Sequence, residues 1–241
     1  MRPIPILTYH QIDTPPPQGA PFRSLVVSPA AFASQMALLK TLGYQGMSMS
    51  RLEPYLRGEK SGKVVGITLD DGYVNNLEQA LPVLQRCGFS ATCYIVSGQL
   101  GGLNIWDRAK GVAPQSLMDA RQLKAWLAGG QEVGAHTRSH VDLLRADDAC
   151  AREEIAGCKR DLERSLDAEV RHFCYPYGTH RPEHAAMVRE AGYATATTTQ
   201  RGRARASDDL FELPRVPVLR TTPRPLLWLK LATAYEDRRR A

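Results

Sequence analysis

Four short segments centred on glycine each separate a helix-like stretch of the sequence from a following apolar run. Glycine often ends a helix because it adopts the left-handed conformation without strain. The segments are Leu42-Gly43-Tyr44, Cys87-Gly88-Phe89, Gly129-Gly130-Gln131 and Ala191-Gly192-Tyr193. Apolar runs suited to buried strands cover residues 4–9, 64–69, 91–96, 132–135, 172–175 and 193–197. This alternation predicts an α/β protein with a mainly parallel sheet, either open or closed into a barrel.

The strand and helix units continue along the chain without a linker rich in Gly, Pro or Ser, so we expect one domain over residues 1–241. Ser28, followed by a proline, predicts the start of the first long helix, since serine caps a helix and proline fits its first position. Residues 14–24 and 101–114 are predicted loops. Residues 222–241 are predicted to form a basic amphipathic helix.

The composition is typical of a globular protein, with 43% hydrophobic and 23% charged residues, which argues against a disordered, collagen-like or coiled-coil chain. Of the 31 Lys and Arg residues, 10 lie in residues 201–241, beside 5 of the 25 Asp and Glu residues. The rest of the chain is nearly neutral. Nucleic-acid binding requires a basic face, commonly with interleaved aromatic residues, so we expect no nucleic-acid partner. No glycine-rich nucleotide-binding motif follows the first strand.

The sequence contains no run near the roughly 20 apolar residues of a membrane span, and its first residues do not resemble a secretion signal. We therefore expect a cytoplasmic protein. Its five cysteines form no C-x-x-C pair, so they are interpreted as free thiols.

Two adjacent carboxylates, Asp70 and Asp71, follow the apolar run 64–69 and precede Gly72. Adjacent side chains diverge, so one carboxylate can bind a metal while the other acts as a general base toward water. The alternative is an Asp-Gly turn at the end of a strand, which is equally compatible with this segment alone.

Two histidines, His136 and His140, follow the run 132–135. Histidines four residues apart face the same way on a helical turn, and together they supply two of the three protein ligands usual in a catalytic zinc site. An isolated pair of this kind is more often a surface feature. Both should lie at the same edge of the sheet as the Asp70 and Asp71 pair, which makes the combination more specific than either part.

The segment His172-Phe173-Cys174-Tyr175-Pro176-Tyr177-Gly178 is a strand followed by a turn. Such a turn can bring a backbone N–H group close to a reacting oxygen, or it can simply be rigid. His10 ends the first predicted strand, where a lone histidine is more often structural. His180 and His184 are expected at the surface.

These motifs, in this order, resemble the polysaccharide deacetylases of carbohydrate esterase family four, the NodB-homology domain. The matching segments are Leu69-Asp70-Asp71-Gly72, His136-Thr137-Arg138-Ser139-His140 and Phe173-Cys174-Tyr175-Pro176-Tyr177-Gly178. The resemblance extends over most of the chain. It implies a single distorted (β/α) barrel that binds one divalent metal ion, usually Zn²⁺, and hydrolyses N-acetyl groups of amino sugars.

The resemblance implies a role for each matching residue. Asp70 would be the general base, and Asp71, His136 and His140 would hold the metal. The backbone N–H of Tyr177 would help to stabilise the oxyanion. The residues assigned to the substrate side are Tyr73, Pro176, Tyr177, Gly178 and Arg215.

The sequence departs from the family pattern at two points. Most members have a late histidine that protonates the leaving amine, but no histidine follows His184 in this sequence. The segment Tyr9-His10-Gln11-Ile12 instead matches the Y-H-x-[IV] segment of a subgroup that resembles the poly-N-acetylglucosamine deacetylases. This match makes His10 the candidate acid. Cys174 replaces an arginine that pairs with the base in many members. Arg215 can take over that pairing, or it can be an ordinary surface residue.

We therefore predict a metal-dependent hydrolase that removes N-acetyl groups from an amino-sugar glycan or glycan intermediate. The alternatives are hydrolysis of another amide, such as a sugar N-formyl group or a ureide, and a carbohydrate-binding protein without activity. The C-terminal segment 225–241 carries apolar and basic residues that can contact an anionic membrane surface or pack on the barrel.

Overall fold

A computed structural model of the chain describes residues 2–240. Ten strands are present: β1 (Ile6–Tyr9), β2 (Gln11–Ile12), β3 (Val26–Val27), β4 (Gln45–Met47), β5 (Val64–Leu69), β6 (Thr92–Ile95), β7 (Glu132–Ala135), β8 (His172–Cys174), β9 (Thr195–Arg201) and β10 (Leu213–Pro217). Seven helices accompany them: α1 (Pro29–Thr41), α2 (Met49–Leu56), α3 (Leu81–Cys87), α4 (Ala120–Ala128), α5 (Asp148–Leu166), α6 (Pro182–Glu190) and α7 (Arg224–Ala232).

The main sheet closes into a barrel of seven parallel strands in the order β1, β10, β9, β8, β7, β6, β5. Pairing between β1 and β5 closes the ring, with Tyr9 opposite Leu69. Strand β4 pairs with the first half of β5 and β6 with its last residues, and β2 and β3 form a separate two-stranded sheet. The predicted (β/α) barrel is confirmed, and the open-sheet alternative is excluded.

Strands β1, β5 and β6 are enclosed on both faces, since successive side chains point to opposite faces and all of them are buried. All six residues of β5 are buried, and so are all four residues of β1 and of β6. Large side chains from the surrounding helices, including Phe32 and Trp126, complete the main core. The indole of Trp126 also donates to the carbonyl of Glu132, which ties α4 to β7.

Most predicted strands coincide with observed ones. Residues 64–69 and 132–135 match β5 and β7 at both ends, whereas the predicted strand 193–197 begins later, at Thr195, and continues to Arg201. Strand β4 was not predicted, because it has only three residues and its first is exposed. The four helix-ending glycines all have positive φ, as predicted.

The predicted C-terminal helix over residues 222–241 is too long. Helix α7 ends at Ala232, and a short 3₁₀ turn follows at Asp237–Arg239. Beyond the helix, Glu236 pairs with Lys230 at 2.6 Å and Asp237 pairs with Arg203 at 2.8 Å, so this segment packs against the rest of the chain through ion pairs.

The predicted loop over residues 101–114 contains a six-residue 3₁₀ helix, Ile105–Lys110. In the part of the chain that the structure describes, no helix combines the length and apolarity needed to cross a membrane.

Replacing Ser28 with Ala tests the N-cap of α1. The Ser28 hydroxyl accepts a hydrogen bond from the Ala31 N–H at 3.2 Å, and loss of such a cap lowers the free energy of unfolding by about 1 kcal/mol. Denaturant unfolding of wild type, Ser28→Ala and Ser28→Asp measures the effect. We expect Ser28→Asp to retain most of the stability, because aspartate also caps; equal stability of Ser28→Ala and wild type would contradict the assignment.

Candidate metal and acid–base site

The carboxyl ends of four barrel strands bring the candidate residues together. Asp70 and Asp71 follow β5, His136 follows β7, the turn from Tyr175 follows β8, and His10 follows β1. In a parallel barrel these ends share one mouth, so residues far apart in sequence become neighbours. Arg215 reaches the same place from within β10.

Asp71, His136 and His140 form a compact triad. The carboxylate oxygen Oδ1 of Asp71 lies 3.5 Å from His136 Nε2 and 3.3 Å from His140 Nε2, and all three residues are buried. Burial alone would raise the pKa of Asp71, but the hydrogen bond from His140 and nearby histidine charges hold it below its usual range. A set of one ionised carboxylate and two imidazoles, with open positions left over, is the donor chemistry of catalytic zinc sites.

The hydrogen bonds around the triad favour metal binding. His136 Nδ1 lies 2.7 Å from the carbonyl oxygen of Cys174, so this nitrogen is the proton donor and Nε2 keeps its lone pair toward Asp71. His140 Nδ1 is buried without a hydrogen-bond partner among the described residues. Trp106 stacks on the His140 ring with 4.6 Å between centroids, which fixes its plane. The residues present therefore fit a divalent metal.

A second group of donors, Asp70, His136 and Cys174, also lies within metal-binding distances. However, Arg215 occupies it: its Nη2 group donates to Cys174 Sγ at 3.1 Å as well as to Asp70. Burial raises the pKa of the Cys174 thiol, so the neutral thiol is the favoured form there. A cation would meet the guanidinium charge at this position, and we therefore assign the metal to the triad of Asp71, His136 and His140.

Arg215 and Asp70 form a buried, bidentate ion pair. Arg215 donates from Nη1 to Oδ1 at 2.7 Å and from Nη2 to Oδ2 at 2.8 Å, and its Nε donates to the carbonyl of Thr198. Burial alone would raise the pKa of Asp70, but the guanidinium outweighs this effect and the net shift is downward. Of the two alternatives left open by the sequence, the pairing is present and the surface position is excluded; the pair keeps Asp70 ionised and fixes its orientation.

The buried position of Arg215 corrects its grouping with the substrate-side residues. Only 1% of its surface is exposed, and it lies behind Asp70 and Cys174 rather than on the cavity wall.

Pro176 is also buried, whereas Tyr177 is 39% exposed and lines the cavity. Tyr73 is largely buried but contributes to the cavity lining.

His10 faces Asp70 across the cavity floor. Its Nε2 lies 4.0 Å from Asp70 Oδ2, and 26% of its side chain is exposed. Asn76 holds the segment in place by donating to the His10 backbone carbonyl at 2.8 Å. The separation allows both groups to reach the same substrate amide, as an acid and a base in one reaction require.

The site loops contain unusual backbone conformations. Asp71, Thr137, His140 and Tyr177 have positive φ, a region that side chains other than glycine rarely adopt. Glycine is required at position 178, in the loop after β8, because a Cβ there would lie 2.0 Å from Thr199 Oγ1. Such strain concentrates at functional sites, where the surrounding fold maintains it.

The cavity above these residues has a volume of about 200 Å³. Its lining includes His10, Asp70, His140 and Tyr177, and Phe22 stands at the rim with 42% of its surface exposed. Both proton-transfer candidates and the metal triad therefore face one small opening.

Two side chains at this site were not identified from sequence. Trp106 stacks on His140, and the Lys110 ammonium lies 4.3 Å from the centre of the Tyr177 ring. Both come from the loop over residues 101–114. The sequence of this loop contains no motif that predicts which way its side chains point. His184, expected at the surface, is buried, while His180 stacks on Tyr175.

Comparisons with known proteins agree with this geometry. The family model described as "Polysaccharide deacetylase" matches residues 57–196. YxkH of Bacillus subtilis is 27% identical over 217 residues, which cover 89% of this chain and 71% of YxkH. The poly-β-1,6-N-acetyl-D-glucosamine N-deacetylase of Staphylococcus aureus is 21% identical over 197 residues, covering 79% and 67%. The structure of the Streptococcus pyogenes deacetylase PplD in complex with acetate superposes with a TM-score of 0.83 at 25% identity, covering 96% and 99%.

Replacing His140 with Ala distinguishes the two donor groups. His140 belongs only to the triad, so we expect His140→Ala to lose stoichiometric zinc, whereas Cys174→Ala retains it. Metal content after dialysis is measured by atomic emission, and circular dichroism checks that both variants fold. Zinc lost from Cys174→Ala but kept by His140→Ala would move the metal to the other donor group.

Proposed function

The chain belongs to the polysaccharide deacetylase family, and on this basis we propose that it is a metal-dependent hydrolase that removes N-acetyl groups from an amino-sugar glycan or glycan intermediate. The observation that carries the proposal is the arrangement of His10 and Asp70, 4.0 Å apart, beside the triad of Asp71, His136 and His140. Amide hydrolysis needs a base, an acid and a site that stabilises negative charge on the carbonyl oxygen.

A divalent ion bound by the triad would polarise the acetyl carbonyl and make a water molecule more acidic. Asp70 accepts the proton of the attacking water. The two hydrogen bonds from Arg215 keep this carboxylate ionised and orient it for that step. Each carboxylate oxygen accepts one guanidinium bond and keeps a further lone pair, so the acid–base role of Asp70 does not require it to leave the ion pair.

His10 completes the reaction by donating a proton from Nε2 to the departing amine. Its partial exposure allows it to exchange protons with solvent between turnovers. We assign the oxyanion to the backbone N–H of Tyr177, whose positive φ turns the loop after β8 toward the cavity. The exposed Tyr177 ring offers an apolar face to the sugar.

The proposed substrate class is an N-acetylated amino-sugar glycan. The poly-N-acetylglucosamine N-deacetylase relative supports it, and so does the match of His10 to the N-terminal acid of that subgroup. An inactive binding protein is disfavoured because the base, the candidate acid and all three candidate ligands are present and assembled in one cavity.

A cytoplasmic location and peripheral contact with a membrane remain proposals. Trp228 of α7 is 47% exposed, while Leu227 and Leu231 of the same helix pack on the core. An exposed indole on a surface helix is suited to the interfacial region of a bilayer.

Replacing Asp70 with Asn tests the proposed reaction. We expect zinc-loaded wild type to release acetate from N-acetylglucosamine oligomers, and Asp70→Asn to lower kcat by about 10²- to 10⁴-fold because the general base is lost. Acetate is measured in a coupled assay, with free, oligomeric and lipid-linked substrates in parallel.

The matched control is Glu78→Gln, which neutralises a carboxylate in the helical segment after β5 without touching the site. It should retain wild-type activity and metal content. If wild type with one bound zinc released no acetate from any substrate, deacetylation would be rejected in favour of another amide or of binding alone.

Replacing Arg215 with Met tests how Asp70 is kept ionised. Burial would then act on Asp70 without the opposing guanidinium, so the pKa of Asp70 should rise and the acidic limb of the kcat/KM profile should move to higher pH. We also expect a lower kcat with unchanged zinc content. The pH–rate profile and metal analysis measure both effects.

Arg215→Lys is the conservative control. Lysine keeps the positive charge but cannot form the bidentate hydrogen bonds. The acidic limb of the kcat/KM profile should therefore stay closer to wild type while kcat falls. An unshifted acidic limb and unchanged kcat in Arg215→Met would show that Arg215 does not control the base.

A further inference from the structure

A second and larger cavity opens at the other end of the barrel. Its volume is about 580 Å³, compared with about 200 Å³ for the catalytic cavity. Pro5 precedes β1, Tyr44 precedes β4 and Lys63 precedes β5, so much of the lining lies at the amino ends of these strands, and α2 and α7 contribute the rest together with Arg203. The catalytic residues follow the carboxyl ends. With β5 spanning six residues, about 20 Å separates the two openings.

The lining of this cavity is cationic. Arg2, Lys60, Lys63 and Arg203 contribute to it, and no Asp or Glu residue does. Arg203 is neutralised by Asp237 at 2.8 Å, but Arg2, Lys60 and Lys63 have no carboxylate within ion-pair distance among residues 2–240. Three positive charges therefore remain uncompensated around one opening, and we name it the basic cavity.

The basic cavity also has aromatic and apolar walls. Tyr44 and Tyr55 line it together with Val64 and Leu231. The Lys63 ammonium lies 4.9 Å from the centre of the Tyr44 ring, which keeps that charge near the aromatic wall. A volume of this size falls in the range of cavities that bind small molecules, and the exposed Arg2, Lys60 and Lys63 lie around its opening.

We propose that the basic cavity binds a phosphate-bearing ligand, with the phosphate near Arg2, Lys60 and Lys63 and a ring or short aliphatic group against the tyrosines. A phosphate monoester carries nearly two negative charges at neutral pH and several acceptor oxygens. A phosphate monoester therefore complements three cations better than a carboxylate, which carries a single negative charge. Arginine and lysine supply complementary contacts, the former through a planar fork and the latter as a point charge.

The arrangement is not apparent from the sequence, which places much of the excess basic charge in residues 201–241. In the fold, acidic partners neutralise several of those residues, including Arg201, Arg203 and Arg240. The uncompensated cations of the basic cavity come instead from Arg2 and the loop that carries Lys60 and Lys63.

Calorimetric titration of the full-length, metal-loaded protein with phenyl phosphate at 0.15 M salt tests the proposal. We expect saturable binding that is weakened at least tenfold in the Lys60→Gln/Lys63→Gln double variant. The matched control is Lys40→Gln/Lys124→Gln, which removes the same charge from exposed positions on α1 and α4 and should bind as wild type does. Inorganic phosphate should bind more weakly than phenyl phosphate, because it lacks the ring.

Phosphate can also approach the catalytic metal, so Asp71→Asn is titrated in parallel and should keep the Lys60- and Lys63-dependent binding. The proposal is overturned if wild type shows no saturable binding, if both double variants weaken it equally, or if Asp71→Asn abolishes it. Deacetylase activity of Lys60→Gln/Lys63→Gln should be unchanged, which separates this site from the catalytic one.

A vesicle experiment identifies the source of the phosphate. Co-sedimentation with phosphatidylcholine vesicles containing phosphatidic acid, lost in Lys60→Gln/Lys63→Gln, would assign the basic cavity to a lipid headgroup. Phenyl phosphate binding without co-sedimentation would assign it to a soluble phosphate ester. Both results support a phosphate site.

Discussion

The pairing of β1 with β5 is the contact on which the rest of the structure depends. It closes the barrel and sets Tyr9 opposite Leu69, with the Asp70 N–H bonded to the Tyr9 carbonyl at 2.9 Å. The next residue on each strand is then His10 and Asp70, so strand register alone brings the candidate acid beside the candidate base. A shift of one residue would turn one of these side chains to the opposite face of its strand.

Charge at the site is organised in two adjacent layers. Asp71 faces the two histidines, and Asp70 faces Arg215, so two adjacent residues are placed for separate roles, one as a candidate metal ligand and the other as a candidate base. A buried ion pair often contributes little net stability, because desolvating both charges offsets their attraction. The ion pair with Arg215 is therefore better explained by its effect on Asp70, whose ionisation and orientation it fixes.

Short-range patterns in the sequence were sufficient to predict six of the seven barrel strands, the four helix ends at glycine and the motifs that carry Asp71, His136 and His140. Each of these depends on local apolar runs, on glycines or on a motif such as His136-Thr137-Arg138-Ser139-His140. The position of Trp106 over His140 and the end of α7 were beyond such reasoning, because they depend on contacts between distant segments. Arg215 lies between these cases: its pairing with Asp70 was one of two alternatives that the sequence left open, and its burial follows only from the closed barrel.

The distribution of the site along the chain also affects how the protein folds. Asp70 is contacted by His10, near the start, and by Arg215, near the end, and β1 needs β10 as well as β5 as neighbours. Contacts of such large sequence separation form slowly, since a long segment must be ordered before they stabilise anything. A nascent chain that stops before β10 would therefore present an open edge of β1 and an unsupported carboxylate. The candidate site is therefore assembled only after the chain as far as β10 has left the ribosome.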